Sequence, residues 1–432
     1  LHRLIRRQRQ MCIRDRLISV TMICVTLVSV TACGKTDRDE EAKKLGIETP
    51  VTINVWYDNK DYESYLNTVA SGLKSANNLI TVNPVYVEAQ DIVDTIYTET
   101  VRNNNAPDVY LMSAENNDKA YLLGLMLEND SYKDIYNEQI YGKAAIRSAS
   151  YKGKLYGYPV SFSMPVMVYN KQYASTVESY EQLKQISDNY VVTEENAGVA
   201  KVFDFDPSGM FLNYPYIGRY MNIGGDEAED AASFTIDEQH FKQAVKEYAQ
   251  LKDTFGIDRQ SSTLDECLDE FTQNKLLYTI VSTDNLKKID ESGVSYGIIP
   301  VPYLSEGLES VPMSVTTLAI VNPYTSNIAV AKTVARAISY DYAEDIQSLS
   351  GHTSARADLT KKGKNADNTD YNMLHDIYSD SIVKAKYVGV QNIYTQYEIL
   401  IHQVWDGKSV DDAYNEFHNC LLYTSDAADE LD

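Results

Sequence analysis

The stretch Val51-Thr52-Ile53-Asn54-Val55-Trp56-Tyr57 decides the fold. Its β-branched residues alternate with polar ones, the period of a strand that turns one face inward. Tyr62, Tyr65, Leu66, Val69 and Leu73 then recur at helical spacing. Residues 80–87 read as a second strand, and Ile92, Val93, Ile96, Tyr97 and Val101 mark a second helix. Pro107-Asp108-Val109-Tyr110-Leu111-Met112 is a third strand, followed by a helix near 116–125. Strands and helices alternating at this spacing imply right-handed crossovers and a parallel sheet covered on both faces. In such sheets ligands sit beyond the carboxyl ends of the strands. That rule puts Trp56, Tyr57, Ser113 and Asn116 beside any site in this half of the chain. For Trp56 and Tyr57 the alternative is an aromatic of the core.

Outward from there, residues 151–158 read as a turn into a strand at 158–160, with another strand at 166–169. A helical stretch follows Lys171, then an irregular region over 203–225 rich in Tyr and Gly. Phe241, Ala244, Val245, Tyr248 and Leu251 mark an amphipathic helix. Residues 276–281 and 296–300 read as later strands, and a helical block runs with breaks from Ala331 to Phe417.

With 432 residues, 44% of them hydrophobic, the chain is long enough for two cores. A formal net charge of −23 excludes a nucleic-acid partner, because a phosphate backbone requires clustered Lys and Arg. Tyrosine is in surplus, 34 against 9 Phe and 2 Trp. Its flat face and hydroxyl suit polar ligands with apolar faces, and equally suit ordinary core use. No phosphate loop, dinucleotide fingerprint or nucleophile elbow is present, so no cofactor is expected. His240, His352, His375, His402 and His418 lack metal spacing and read as surface or capping residues, so no metal is expected either. Of the cysteines, Cys267 reads as a buried structural thiol.

The two ends have a different origin. Codons can be chosen for residues 6–15 so that the opposite strand, in a shifted frame, spells residues 420–429. One DNA element in two orientations, similar to a transposase sequencing adapter, would then encode residues 1–16 and 420–432, which would carry no function. Residues 17–30 are an apolar run too short for a membrane span, ending in Val30-Thr31-Ala32-Cys33-Gly34. This resembles a bacterial lipobox: 17–32 would be a lipoprotein signal peptide, Cys33 the lipid-attachment residue, and 33–48 a charged tether. Acyl chains on Cys33 would give a durable membrane anchor.

Gly153-Lys154-Leu155-Tyr156-Gly157-Tyr158-Pro159-Val160 followed by Tyr169-Asn170-Lys171 carries a resemblance. Ala106-Pro107-Asp108-Val109, the run from Tyr296 to Pro302, Asn322-Pro323 and Trp405-Asp406-Gly407-Lys408-Ser409 extend it in order over roughly residues 50–418. The chain is similar to the extracellular solute-binding proteins of ABC importers, within the sugar-binding group that includes maltose- and oligosaccharide-binding proteins.

The resemblance implies an α/β fold of two periplasmic-binding-protein-like lobes with a central cleft and hinge. Residues 49–160 and 296–342 would form lobe 1, and 161–295 and 343–418 lobe 2. It implies ligand contacts at Phe162 and Ser163, where the interlobe crossing of maltose-type relatives often has a carboxylate. It places Phe211, Tyr214 and Tyr216 where relatives present stacking aromatics, and Asp284 where relatives often have Trp. Tyr394 and Gln396, before the closing helix, complete the set. Arg219 and Arg356 are the basic residues nearest the expected cleft.

The function implied is capture of a sugar or short oligosaccharide by cleft closure, without chemistry, at the extracellular face of the membrane. Its partners would be the carbohydrate, the permease subunits of an importer and the membrane through the lipid anchor, with the chain itself a monomer. Two alternatives stand beside this: a binding protein for a peptide or polyamine, and a surface glycan-active enzyme with converging carboxylates. A polyamine site would need several carboxylates facing the cleft.

Overall fold

A computed structural model describes residues 47–103 and 105–429, with side chains as far as Leu421. The segments read as adapter (1–16) and signal peptide (17–32), with Cys33 and the tether to residue 46, lie outside the described residues. At the other end, helix Val410–Asp429 carries the backbone into the second segment read as adapter.

The larger sheet has seven strands. Six run in the order Thr353–Ser354, Tyr158–Ser163, Met313–Val321, Val109–Ser113, Val51–Tyr57 and Ile80–Tyr86, and Ile382–Val383 pairs beside Met313–Val321. Val51–Tyr57 lies parallel to both Ile80–Tyr86 and Val109–Ser113, as the alternating pattern requires. The sheet is nevertheless mixed. Met313–Val321 runs antiparallel to Val109–Ser113, with Thr317 opposite Ser113, and antiparallel to Tyr158–Ser163 on its other side.

A second sheet holds Tyr296–Ile299, Pro165–Asn170, Leu276–Ser282 and Lys201–Phe203 in that order. The chain passes from the larger sheet to the smaller through Ser163-Met164-Pro165, so a single buried residue, Met164, separates two strands of different sheets.

The strand Tyr296–Ile299 departs from the expected division, which placed it in lobe 1. It is antiparallel to Pro165–Asn170 in the second sheet. Gly297 faces Tyr169 there, and the Tyr169 ring occupies the space a side chain would need, 2.5 Å from where a Cβ would sit. Glycine with an aromatic laid across it secures the register of this pair. Thr353–Ser354 and Ile382–Val383 also return to the larger sheet, although 343–418 was expected in lobe 2.

The tyrosine surplus goes largely into the interior. Tyr65, Tyr141, Tyr378 and Tyr397 are fully buried, each with its hydroxyl bonded. Tyr65 Oη donates to the Ile338 carbonyl at 2.5 Å and Tyr141 Oη to that of Ser339 at 2.9 Å. Tyr397 Oη donates to Asn213 Oδ1 at 2.9 Å. Such a partner spares a buried phenol the desolvation cost that would offset its apolar area. Cys267 is buried as expected.

Candidate functional site between the two sheets

Three strands of the larger sheet end at one place. Past Tyr57 the chain turns through Asp58 and Asn59, and Asn59 Oδ1 accepts from the Asp61 amide at 3.0 Å to cap a short helical turn. Beyond Ile80–Tyr86, Asp91 caps helix Ile92–Arg102 by accepting from the Asp94 amide at 3.1 Å. Val109–Ser113 runs into Glu115 and Asn116. Opposite these, strand Leu276–Ser282 of the second sheet ends in a capping box, with Ser282 Oγ accepting from the Asp284 amide and Asn285 Oδ1 from the Ser282 amide. That turn presents Asp284.

Together these turns enclose a cavity of about 440 Å³. Asp58, Asn59, Gln90, Asp91, Ser113, Glu115 and Asn116 line it from the larger sheet's strand ends, with Thr317 and His352 beside them; Ser163 comes from the crossing and Asp284 from the second sheet. The volume falls within the range of small-molecule sites. No lysine or arginine is among the lining residues, and Tyr62 is the one aromatic besides His352.

The carboxylates there are unequal. Lys119 Nζ donates to Asp91 at 2.6 Å, Lys384 pairs with Glu115, and His352 Nδ1 lies 3.0 Å from Asp284 Oδ1. Asp58 has no ion pair among the described residues. Burial, with Asp91 close by, holds its carboxyl above the usual carboxylate range. Burial would also raise Asp284, but hydrogen bonds from His352 and Ser163 hold that carboxyl below its usual range.

Of the residues singled out from sequence, Ser113, Asn116, Ser163 and Asp284 come together in this cavity. The aromatic ones do not. Trp56 is buried against Ile92, Val93 and Tyr110 on one face of the sheet, and Tyr57 is buried in the other core. Both faces of this sheet are covered, so the last three residues of Val51–Tyr57 are buried whichever way they face. Phe162 is buried against Tyr378.

Tyr214 and Tyr216 are likewise interior: Tyr214 packs on Tyr397 and Tyr394, and Tyr216 shares a short hydroxyl contact with Tyr180. Phe211 is partly buried against the same core. Tyr394 is buried with its hydroxyl accepting from the Ala385 amide at 3.0 Å, while Gln396 is half-buried on helix Val390–Trp405. Neither Arg219 nor Arg356 lines the cavity; they pair with Glu309 and Asp358 at 2.7 Å.

Sequence reasoning missed Asp58, Asn59, Gln90, Asp91, Glu115, Thr317 and His352. The strand-end rule contained the signal for Asp58 and Asn59, which directly follow Tyr57. His352 had none, since its partners are far away in sequence.

Residues 68–340 match the bacterial extracellular solute-binding protein family. A maltodextrin-binding protein of Bacillus subtilis (strain 168) is 21% identical over 413 residues, 90% of this chain and 93% of the relative. A galactooligosaccharide-binding protein of the same organism is 24% identical over 308 residues, 67% of this chain and 68% of the relative. Among solved structures, a cyclo/maltodextrin-binding protein complexed with maltotetraose superposes with a TM-score of 0.73 at 15% identity, covering 88% of this chain and 98% of that one. An extracellular solute-binding protein from Staphylococcus aureus in complex with maltose gives 0.71 at 16% identity, over 88% and 100%. With a two-lobe α/β fold and a cleft between its sheets, the chain belongs to the bacterial extracellular solute-binding protein family.

Proposed function

We propose that the protein captures a carbohydrate, a sugar or short oligosaccharide, in the cavity between its two sheets and hands it unaltered to an ABC importer. The observation that carries this reading is the cavity's lining: amide, hydroxyl and carboxylate groups at three strand ends, with no lysine or arginine. A sugar offers many hydroxyls, each needing a donor or acceptor, and Asp58, Asn59, Gln90, Ser113 and Asn116 supply both kinds. The curated relatives are named for maltodextrin and galactooligosaccharide binding, which supports the same ligand class.

The lining argues against a polyamine. Four carboxylates line the cavity, but Lys119, Lys384 and His352 occupy three of them, leaving Asp58 to meet a cation. It argues equally against sugar phosphates and uronates, which would find no guanidinium or ammonium group. In this reading the mature chain sits at the extracellular face of the membrane, held by lipid on Cys33, and works as a monomer with the permease subunits. The residues proposed to touch ligand are Asp58, Asn59, Gln90, Ser113, Glu115, Asn116 and Ser163, with Asp284 held among them.

A thermal-shift screen tests this, because a solute that binds only the folded state raises the melting temperature. Maltose, maltotriose and galactobiose are set against spermidine and a tripeptide. A rise with a sugar and unchanged sugar afterwards is expected. A rise confined to spermidine or the peptide, or hydrolysis of the sugar, would overturn the proposal.

A further inference from the structure

His352 and Asp284 join the two lobes beside the strand crossing. His352 precedes Thr353–Ser354, which pairs with Tyr158–Ser163 in the larger sheet, whereas Asp284 follows Leu276–Ser282 of the smaller one. His352 Nδ1 lies 3.0 Å from Asp284 Oδ1. The other carboxylate oxygen accepts from Ser163 Oγ at 2.5 Å and Ser282 Oγ at 3.3 Å. Ser163 opens the crossing, so the His352–Asp284 contact sits where a bend about Ser163-Met164-Pro165 would act on it.

The far side of the ring fixes its proton. Nε2 is 3.2 Å from Asn59 Nδ2 and 3.8 Å from Asp61 Oδ2. The Asn59 carbonyl oxygen is taken by the Asp61 amide, so the side chain offers its NH₂ group and Nε2 must accept. The neutral ring therefore carries its hydrogen on Nδ1 and donates it to Asp284. The Tyr62 ring, stacked at 4.6 Å, holds the imidazole in plane. Charged groups around it are Asp284 from the second sheet, Asp61 from the turn after Tyr57, Asp58 across the cavity, and Lys287, whose stem lies over Gly351.

We propose that His352 is a proton-operated clasp between the lobes, whose protonation favours the closed cleft. A proton added at Nε2 ends the hydrogen bond from Asn59, sets N–H against N–H there, and brings a positive charge 3.8 Å from Asp61 Oδ2. The Nδ1–H to Asp284 contact becomes a charge-assisted bond at the same moment. Opening would part the imidazolium from Asp284 and leave it Asp61 alone, so parting the charged ring costs more than parting the neutral one. By reciprocity, the proton holds the closed form. The Asn59 turn carries Asp58, so the same event reaches the cavity wall. The inference deepens the reading of the cavity as a solute cleft, yet lobe separation can be followed with no solute present.

The test is small-angle X-ray scattering of the solute-free full chain at about pH 5.5 and about pH 8, on either side of the usual histidine range. The closed population should rise roughly three- to tenfold at the lower pH, the scale by which a charged hydrogen bond exceeds a neutral one. The radius of gyration should fall with it. His352→Gln, which keeps an amide donor but cannot titrate, should remove the response, as should Asp284→Asn. An unchanged radius in the natural chain, or a pH response surviving in His352→Gln, overturns the clasp. If His352→Gln does not fold, Asp284→Asn makes the same comparison. A pH-dependent radius lost in the variants, together with a thermal-shift screen in which none of the sugars raises the melting temperature, would keep the clasp and remove the carbohydrate reading.

Discussion

The ring of Phe162 lies face to face with that of Tyr378, centroids 3.9 Å apart and planes within 4°. Ser163, its neighbour, points into the cavity. Successive strand side chains face opposite sides, so one position of the crossing strand serves the cleft and the next serves the core. Phe162→Ala should therefore cost stability, about 3–5 kcal/mol as for other buried aromatics. Urea denaturation checks this. Ser163→Ala, removing a hydroxyl bonded to Asp284, should leave most of the stability intact and act on solute affinity instead.

The same alternation explains what the sequence could and could not reveal. Val51–Tyr57, Ile80–Tyr86 and Val109–Ser113 were legible because β-branched residues and intervening helices announce a parallel unit. Met313–Val321, the strand joining Val109–Ser113 to Tyr158–Ser163, passed unread. Its pairing is wholly long-range, Thr317 with Ser113 and Ser161, and nothing local distinguishes its mixed polar and apolar halves. Helix Met210–Ile217 lies in the region expected to be irregular for its Tyr and Gly, and it carries Pro215 within it. Burial of Leu212, Tyr214, Tyr216 and Ile217 overrides that local preference. At the site, aromatic residues drew attention for their chemistry while the fold used them as core. The polar residues one step past the strand ends line the cavity instead.

Buried histidine makes the fold acid-sensitive. His375 sits between Phe162 and Tyr371, neither ring nitrogen has a hydrogen-bond partner among the described residues, and burial pulls its pKa down to about 3 from 6.5. Between those values the unfolded chain binds a proton that the folded chain refuses, so this part of stability is complete above pH 6.5 and is lost as pH falls toward 3. The loss should be about 2 kcal/mol between pH 7 and pH 5. His375→Phe should reduce the pH dependence of the urea midpoint by that amount, and an unaltered dependence would remove His375 from the account.

Lys386 behaves in the opposite pH range. Its side chain is fully buried, and Nζ donates to the carbonyls of Arg147 and Ser150 at 2.8 Å each, at the end of helix Lys143–Ala149. Burial pulls its pKa down to about 8, with Glu229 4.0 Å away opposing the shift. From pH 8 to about 10.5 the unfolded chain binds the extra proton, so stability contributed by this group rises across that window. Lys386→Met would take this donor from both carbonyls, of which that of Arg147 still accepts from the Ser150 amide, a cost of about 1–3 kcal/mol. Thermal unfolding near neutral pH measures the cost, and the rise between about pH 8 and about pH 10 should be smaller in the variant.

Asp58 separates binding from stability. Its carboxyl lies near Asp91, lacks an ion pair among the described residues and is held above the usual range by burial. Asp58→Asn removes a like-charge neighbour while keeping the side chain's shape, so the melting temperature of the solute-free chain should stay level or rise. A carboxylate accepting ligand hydroxyls gives charged hydrogen bonds, and replacing it by an amide should weaken sugar binding by roughly 10- to 100-fold. Calorimetry with the best sugar from the screen reads the affinity, and a melting scan of the same sample reads the stability. Loss of affinity with undiminished stability places Asp58 on the ligand. A parallel loss of both would instead make it a structural residue of the Asn59 turn.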